Sequence, residues 1–213
     1  MQRARSGTLS VDPVELELTI FKSVDEGARE NLLKLFANDN CQTEVLQVVL
    51  TTTIPNHDGQ YGHDEDVKHD AAELLGTSVE NLNAIQIAAI MGEDEIALDI
   101  LEFVVSITED IGAKKVLNEF VGRVWGDGNT LMHLASFYGM STLVQRLLSL
   151  GASRNRRNSR GYRPVDCVDD FETRKHFLTY EIGTVASVRF LLLNSKNNSQ
   201  KTHLQIGFNL NDG

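Results

Sequence analysis

Leu143, Val144, Leu147 and Leu148 fall at i, i+1, i+4 and i+5, which places them in one apolar stripe along a helix. Ahead of them, Leu131, Leu134 and Ala135 form the packed face of a shorter helix. Thr130 stands where a hydroxyl caps that helix, and Gly139 breaks it so that the chain can reverse. Gly151 then permits the left-handed turn that opens a hairpin. Two helices arranged in this way leave one apolar face open, and only a neighbouring unit of the same kind closes it.

Such neighbours are present in the chain. A new unit opens at Gly161 and Pro164, 33 residues after Gly128. Moving back 47 residues sets residues 83–89 on 130–136, Gly92 on Gly139, and Ala97, Ile100 and Leu101 on the second stripe. Moving back another 65 sets Ile20 on Ile85, Gly27 on Gly92, and Leu32, Leu35 and Phe36 on the same stripe. The excess over 33 is inserted chain. Within it, residues 42–50, 64–75 and 112–121 are helical in pattern, whereas 54–63 are loop-like.

The run Gly128, Thr130, Leu131, His133, Ala135, then Gly139, the leucine-rich stripe and Gly151–Ala152 resembles the repeat of ankyrin proteins, and 33 residues is that family's period. The resemblance implies an all-α ankyrin-repeat solenoid of helix pairs with β-hairpin-like connections and insertions. It spans 13–178, with repeats near 13–38, 78–104, 125–157 and 158–178 and insertions at 39–77 and 105–124. A flexible N-terminus (1–12) precedes it and an extended or flexible tail (179–213) follows. In the last unit Asp166 stands where the usual histidine would, and Asp169 and Asp170 make it a polar cap.

Composition agrees with a folding chain. Of its 213 residues, 41% are hydrophobic and 23% charged, with three prolines. No apolar run reaches the roughly 20 residues of a membrane helix, and the N-terminus lacks the apolar core of a secretory signal. The expectation is a soluble, intracellular protein, cytoplasmic or nuclear. Cys41 and Cys167 match no metal or redox spacing and read as buried, reduced thiols. The formal charge of −10 divides into −14 over 1–150, +3 over 151–175 and +1 over 176–213, which argues against a nucleic-acid binder.

Signatures of chemistry are sparse. Gly126 and Gly128 lack the third glycine of a dinucleotide loop, and no cofactor is implied. His133 occupies the repeat's histidine position, where the ring in similar proteins hydrogen-bonds the backbone of an adjacent hairpin. His57, Asp58, His63, Asp64, Glu65, Asp66, His69 and Asp70 gather metal-ligand types without a metal-binding spacing, so a solvated acidic insertion is expected and no metal. Arg154, Arg156, Arg157, Arg160 and Arg163 form a positive hairpin tip, read either as solvated, salt-bridged arginines or as a contact for an acidic peptide or phosphate. Residues 156–159, Arg-Arg-Asn-Ser, also match the pattern of arginine-directed kinases, as does Arg3-Ala-Arg5-Ser6.

The resemblance implies a non-enzymatic scaffold that binds a protein partner through the concave face. In the family's register, the hairpin tips and the two residues before the mid-repeat glycine face that groove. Here these are Ile90 and Met91, Phe137 and Tyr138, the tip residues Trp125, Asp127 and Asn129, and the next tip, Ser159, Arg160 and Tyr162, with Asp25 and Glu26 in the first repeat. Val188 and Phe190 resemble the Val-x-Phe core by which regulatory subunits dock type-1 protein phosphatase, although Ala186 and Ser187 stand where a basic residue is usual. The alternatives for that segment are phosphatase docking and packing over the end of the solenoid.

Overall fold

A first row of short helices stacks side by side: α1 (Pro13–Asp25) on α5 (Ala84–Ile90), α5 on α8 (Leu131–Phe137), and α8 on a 3-10 turn over Pro164–Cys167. A second row lies behind it, with α2 (Arg29–Phe36) on α6 (Asp94–Asp110) and α6 on α9 (Ser141–Ser149). The computed structural model describes residues 12–55, 61 and 64–179, the last nine of which, 171–179, are helical. Three further helices, α3 (Gln42–Thr51), α4 (Glu65–Leu74) and α7 (Lys114–Val121), occupy the inserted chain. Each overlaps a stretch whose pattern predicts a helix.

The repeat is visible atom by atom in how the first helices end. After α1, α5 and α8 come Gly27, Gly92 and Gly139, all with positive φ. At each, the next N–H reaches back to a helical carbonyl in the same way: Ala28 to Ser23, Glu93 to Ala88, and Met140 to Ala135. This turn aims the chain into the second row. It recurs where α6 meets α7, with Ala113 N–H on the Thr108 carbonyl, so α7 is a third helix added to its repeat as α3 is to the first.

How the first-row elements begin is equally regular, though the residues differ. Three positions after the start, a side chain accepts the backbone N–H of the starting residue. Gln86 Oε1 takes Asn83 (2.9 Å), His133 Nδ1 takes Thr130 (3.2 Å), and Asp166 Oδ2 takes Arg163 (2.8 Å). The Thr130 hydroxyl also lies 2.9 Å from the imidazole. Asp166 in the histidine position thus keeps the same bond. Its carboxyl is held down at about 2, chiefly by its hydrogen bonds to the Arg163 guanidinium.

Between the rows lies one continuous apolar core. Ile20, Ile85, Leu134, Ile100, Leu101, Leu143 and Leu147 are all fully buried. Phe36 and Phe103 stack at 4.3 Å across the first two repeats. On the second row, Arg29 forks onto Asp99 and Arg146 forks onto Glu102, tying each repeat to the next. These pairs are partly exposed and orient the repeats more than they stabilise them. Cys41 and Cys167 are free and buried, as their spacing predicts, and burial pushes the Cys167 thiol up to about 12. No described helix is long and apolar enough to cross a membrane.

Candidate functional site

Extended pairing among the described residues is confined to two antiparallel bridges, Ile54 with Leu82 and Trp125 with Asn129. The first marks the hairpin position between repeats one and two, and α4 lies in the chain inserted there. The second is a tight hairpin between repeats two and three. A third tip follows, closed by Asn158 N–H on the Tyr162 carbonyl at 2.9 Å.

The inserted helix packs back onto these tips. Asn129 Nδ2 donates to the Leu75 carbonyl (2.6 Å) and Asn158 Nδ2 donates to the Leu74 carbonyl (2.8 Å), so asparagines from successive hairpins satisfy the otherwise open C-terminus of α4. Asn158 Nδ2 also donates to Asn129 Oδ1 at 2.9 Å. Its own Oδ1 accepts from the backbone N–H groups of Arg160 and Tyr162. Asp127 Oδ2 accepts from Ser78 N–H at 3.1 Å, and Ser159 N–H donates to the Asp127 carbonyl at 2.7 Å.

This docking decides where the predicted groove residues sit. Asn129 is fully buried and Trp125 and Ile90 nearly so, which corrects the expectation that they face a partner: a buried amide that bridges two hairpins and a helix end holds the fold. Asp127 is half-buried and engaged with Ser78. Phe137 and Tyr138 are half-buried, edge to face at 5.0 Å, and pack partly on the core. Tyr162 is also half-buried, Met91 is 38% exposed, and Ser159, Arg160, Asp25 and Glu26 are exposed. Val188 and Phe190 lie outside the described residues, as do His57, Asp58 and His63 of the acidic insertion.

Tyr61, from the insertion, was not singled out by the sequence. It is buried beside Trp125, ring centres 6.4 Å apart, where the charges of Asp127 and Arg160 act on it. Burial pushes its phenol well up, and likewise that of Tyr138. Among the described residues, the buried Tyr61 and Tyr138 hydroxyls and Trp125 Nε1 have no hydrogen-bond partner. Asn158 was missed as well. Its only sequence signal is an asparagine close to each hairpin glycine, Asn129 after Gly128 and Asn158 before Gly161.

Of the arginine group, Arg163 is paired with Asp166 and Arg154 is half-buried, so the exposed tip is Arg156, Arg157 and Arg160. Ser141 Oγ and His176 Nε2 lie 2.9 Å apart, an arrangement reminiscent of a nucleophile and its base. Among the described residues no carboxylate hydrogen-bonds the other ring nitrogen, and the pair simply ties α9 to the 171–179 helix.

His133 is fully buried, with Nε2 3.1 Å from the Tyr162 carbonyl, the adjacent-hairpin bond its position predicts. A ring nitrogen facing a carbonyl carries the proton, so Nδ1 is the acceptor and the ring is neutral. Burial lowers its pKa, so below the unfolded value of about 6.5 the unfolded chain binds a proton that the folded one resists. Stability is therefore complete above that value and lost as pH falls below it. Urea midpoints between pH 7.5 and 5 should drop, and His133→Gln, which copies Gln86 in the same register, should drop less; an equal slope would show that His133 is not responsible.

The family model described as "Ankyrin repeat" matches residues 127–159. No curated protein matches the chain significantly. Among solved structures, the chain is similar to the ankyrin repeat domain of Bcl-3, titled "a unique member of the IkappaB protein family", at 14% identity, covering 75% of this chain and 97% of that one with a TM-score of 0.28.

Proposed function

We propose that this ankyrin-repeat solenoid is a non-enzymatic scaffold that holds a protein partner on the face made by the ends of its first-row helices and its hairpin tips. The ankyrin repeat is a protein-interaction module, and residues 127–159 are such a repeat. The observation that carries the assignment of the face is a division of labour in the repeat register. Thr130, Leu131, His133, Leu134 and Ala135 are buried and spent on folding, whereas Met91, Phe137, Tyr138 and Tyr162 stay partly uncovered, with Ser159 and Arg160 exposed at the tip.

An apolar and aromatic strip edged by an exposed cation suits a partner that inserts an apolar side chain and orients itself by an acidic group.

Met91 and Arg160 are the informative positions, because both are exposed and neither change should cost more than about 0.5 kcal/mol of stability. Met91→Glu should weaken retention of the partner that co-purifies with the chain by tenfold or more, corresponding to about 1.4 kcal/mol. Arg160→Glu should mainly slow association, with the effect shrinking as salt rises. If both variants melt like the parent and bind their co-purified partner equally well, the face is wrongly assigned.

A further inference from the structure

The third hairpin tip carries a second feature that its place in the solenoid does not require. We propose that Ser159 is a phosphorylation site for a serine/threonine kinase that selects arginine two and three residues before its target. Arg156 and Arg157 hold those two places, and all three residues are exposed. Residues 156–158 run outside any helix into the turn at Ser159 and Arg160. Ser159 is exposed, with its hydroxyl oxygen beside Gly128.

Neither arginine is consumed by the fold. Arg157 gives one guanidinium N–H to the Gly161 carbonyl at 2.5 Å, leaving its remaining donors to a kinase's acidic subsites. Arg156 is exposed, whereas Arg163 on the same hairpin is held in its fork with Asp166. These arginines sit in the +3 stretch of a chain whose first 150 residues carry −14, so they stand out against an acidic background.

Fitting the tip to a kinase cleft requires release of Ser159 N–H from the Asp127 carbonyl and opening of the turn in which Asn158 N–H is held by the Tyr162 carbonyl and Asn158 Oδ1 by the N–H groups of Arg160 and Tyr162. In the transfer, the Ser159 hydroxyl oxygen bonds to the γ-phosphorus of a nucleoside triphosphate. The bond from that phosphorus to the bridging oxygen breaks, the diphosphate leaves, and the hydroxyl proton passes to the kinase's base. The product adds a charge of about −2 to a tip that exposes Arg156, Arg157 and Arg160. The modification is read on the chain alone and does not depend on the binding face being correctly assigned.

The test incubates the folded, full-length chain with the catalytic subunit of cyclic-AMP-dependent protein kinase and magnesium ATP, followed by intact mass and peptide mapping. Close to one phosphate per chain on Ser159 is expected. Ser159→Ala should abolish that label, and Arg156→Gln with Arg157→Gln should lower the initial rate by about tenfold or more. Three results would each overturn the proposal: no label on the folded chain, a label unchanged in Ser159→Ala and mapping to Ser6, or a rate indifferent to loss of both arginines.

Discussion

Replacing Asn158 with alanine is expected to lower the unfolding free energy by about 2–4 kcal/mol, although the deleted group is small and polar. The side chain is 6% exposed and makes four hydrogen bonds: to the Leu74 carbonyl, to Asn129 Oδ1 and from the backbone N–H groups of Arg160 and Tyr162. Alanine leaves all four partners without their bond, some of them away from water, and an unmade buried bond costs more than a made one contributes. The damage should also be local before it is global. Urea denaturation gives the total, while hydrogen exchange should show faster exchange at Arg160 and Tyr162 and at the last turn of α4. A loss below about 0.5 kcal/mol, or unchanged exchange in α4, would mean that the insertion does not depend on the tips.

A second large effect is expected at Gly126, with φ +47°, where an added Cβ would lie 2.2 Å from the Ser78 carbonyl oxygen. Left-handed backbone alone costs a non-glycine residue about 1–2 kcal/mol. Here the obstacle is backbone on another segment, so either the 125–129 hairpin or the loop after α4 must shift. Gly126→Ala should therefore cost about 3 kcal/mol or more, the range of severe single substitutions. Gly92 supplies the comparison: its φ is +79° with nothing within 4 Å of the added carbon, so Gly92→Ala should show only the backbone cost. If the two variants have the same midpoint, the close contact between hairpin and insertion is wrong.

Both predictions concern the same junction, where a segment outside the repeat pattern is built into the repeat's own hairpins. This bears on function. The tips of a repeat solenoid are a natural place for a partner, and here part of that place is filled by α4 and Tyr61 of the same chain. On the proposed reading, this leaves Met91, Phe137, Tyr138 and the third tip as the surface for a partner.

What the sequence determined by itself is the local order of each repeat. The i, i+1, i+4 and i+5 stripe at Leu143, Val144, Leu147 and Leu148, the glycine after each first helix, and the 33-residue spacing depend on helical periodicity and on backbone conformations that only glycine adopts easily. Those constraints act over a few residues, so they are written in the chain. The three helices of the inserted segments were legible for the same reason. Tertiary structure alone decided that Trp125 and Asn129 face inward and not toward a partner, that Asp166 and Gln86 share one bonding role with His133, and that α4 closes on Asn129 and Asn158. Each depends on groups brought together from 29 to 84 residues apart, or on geometry that accepts any side chain with a lone pair in the right place. A register assigns a position to a residue, but whether that position meets water or another segment is settled by packing.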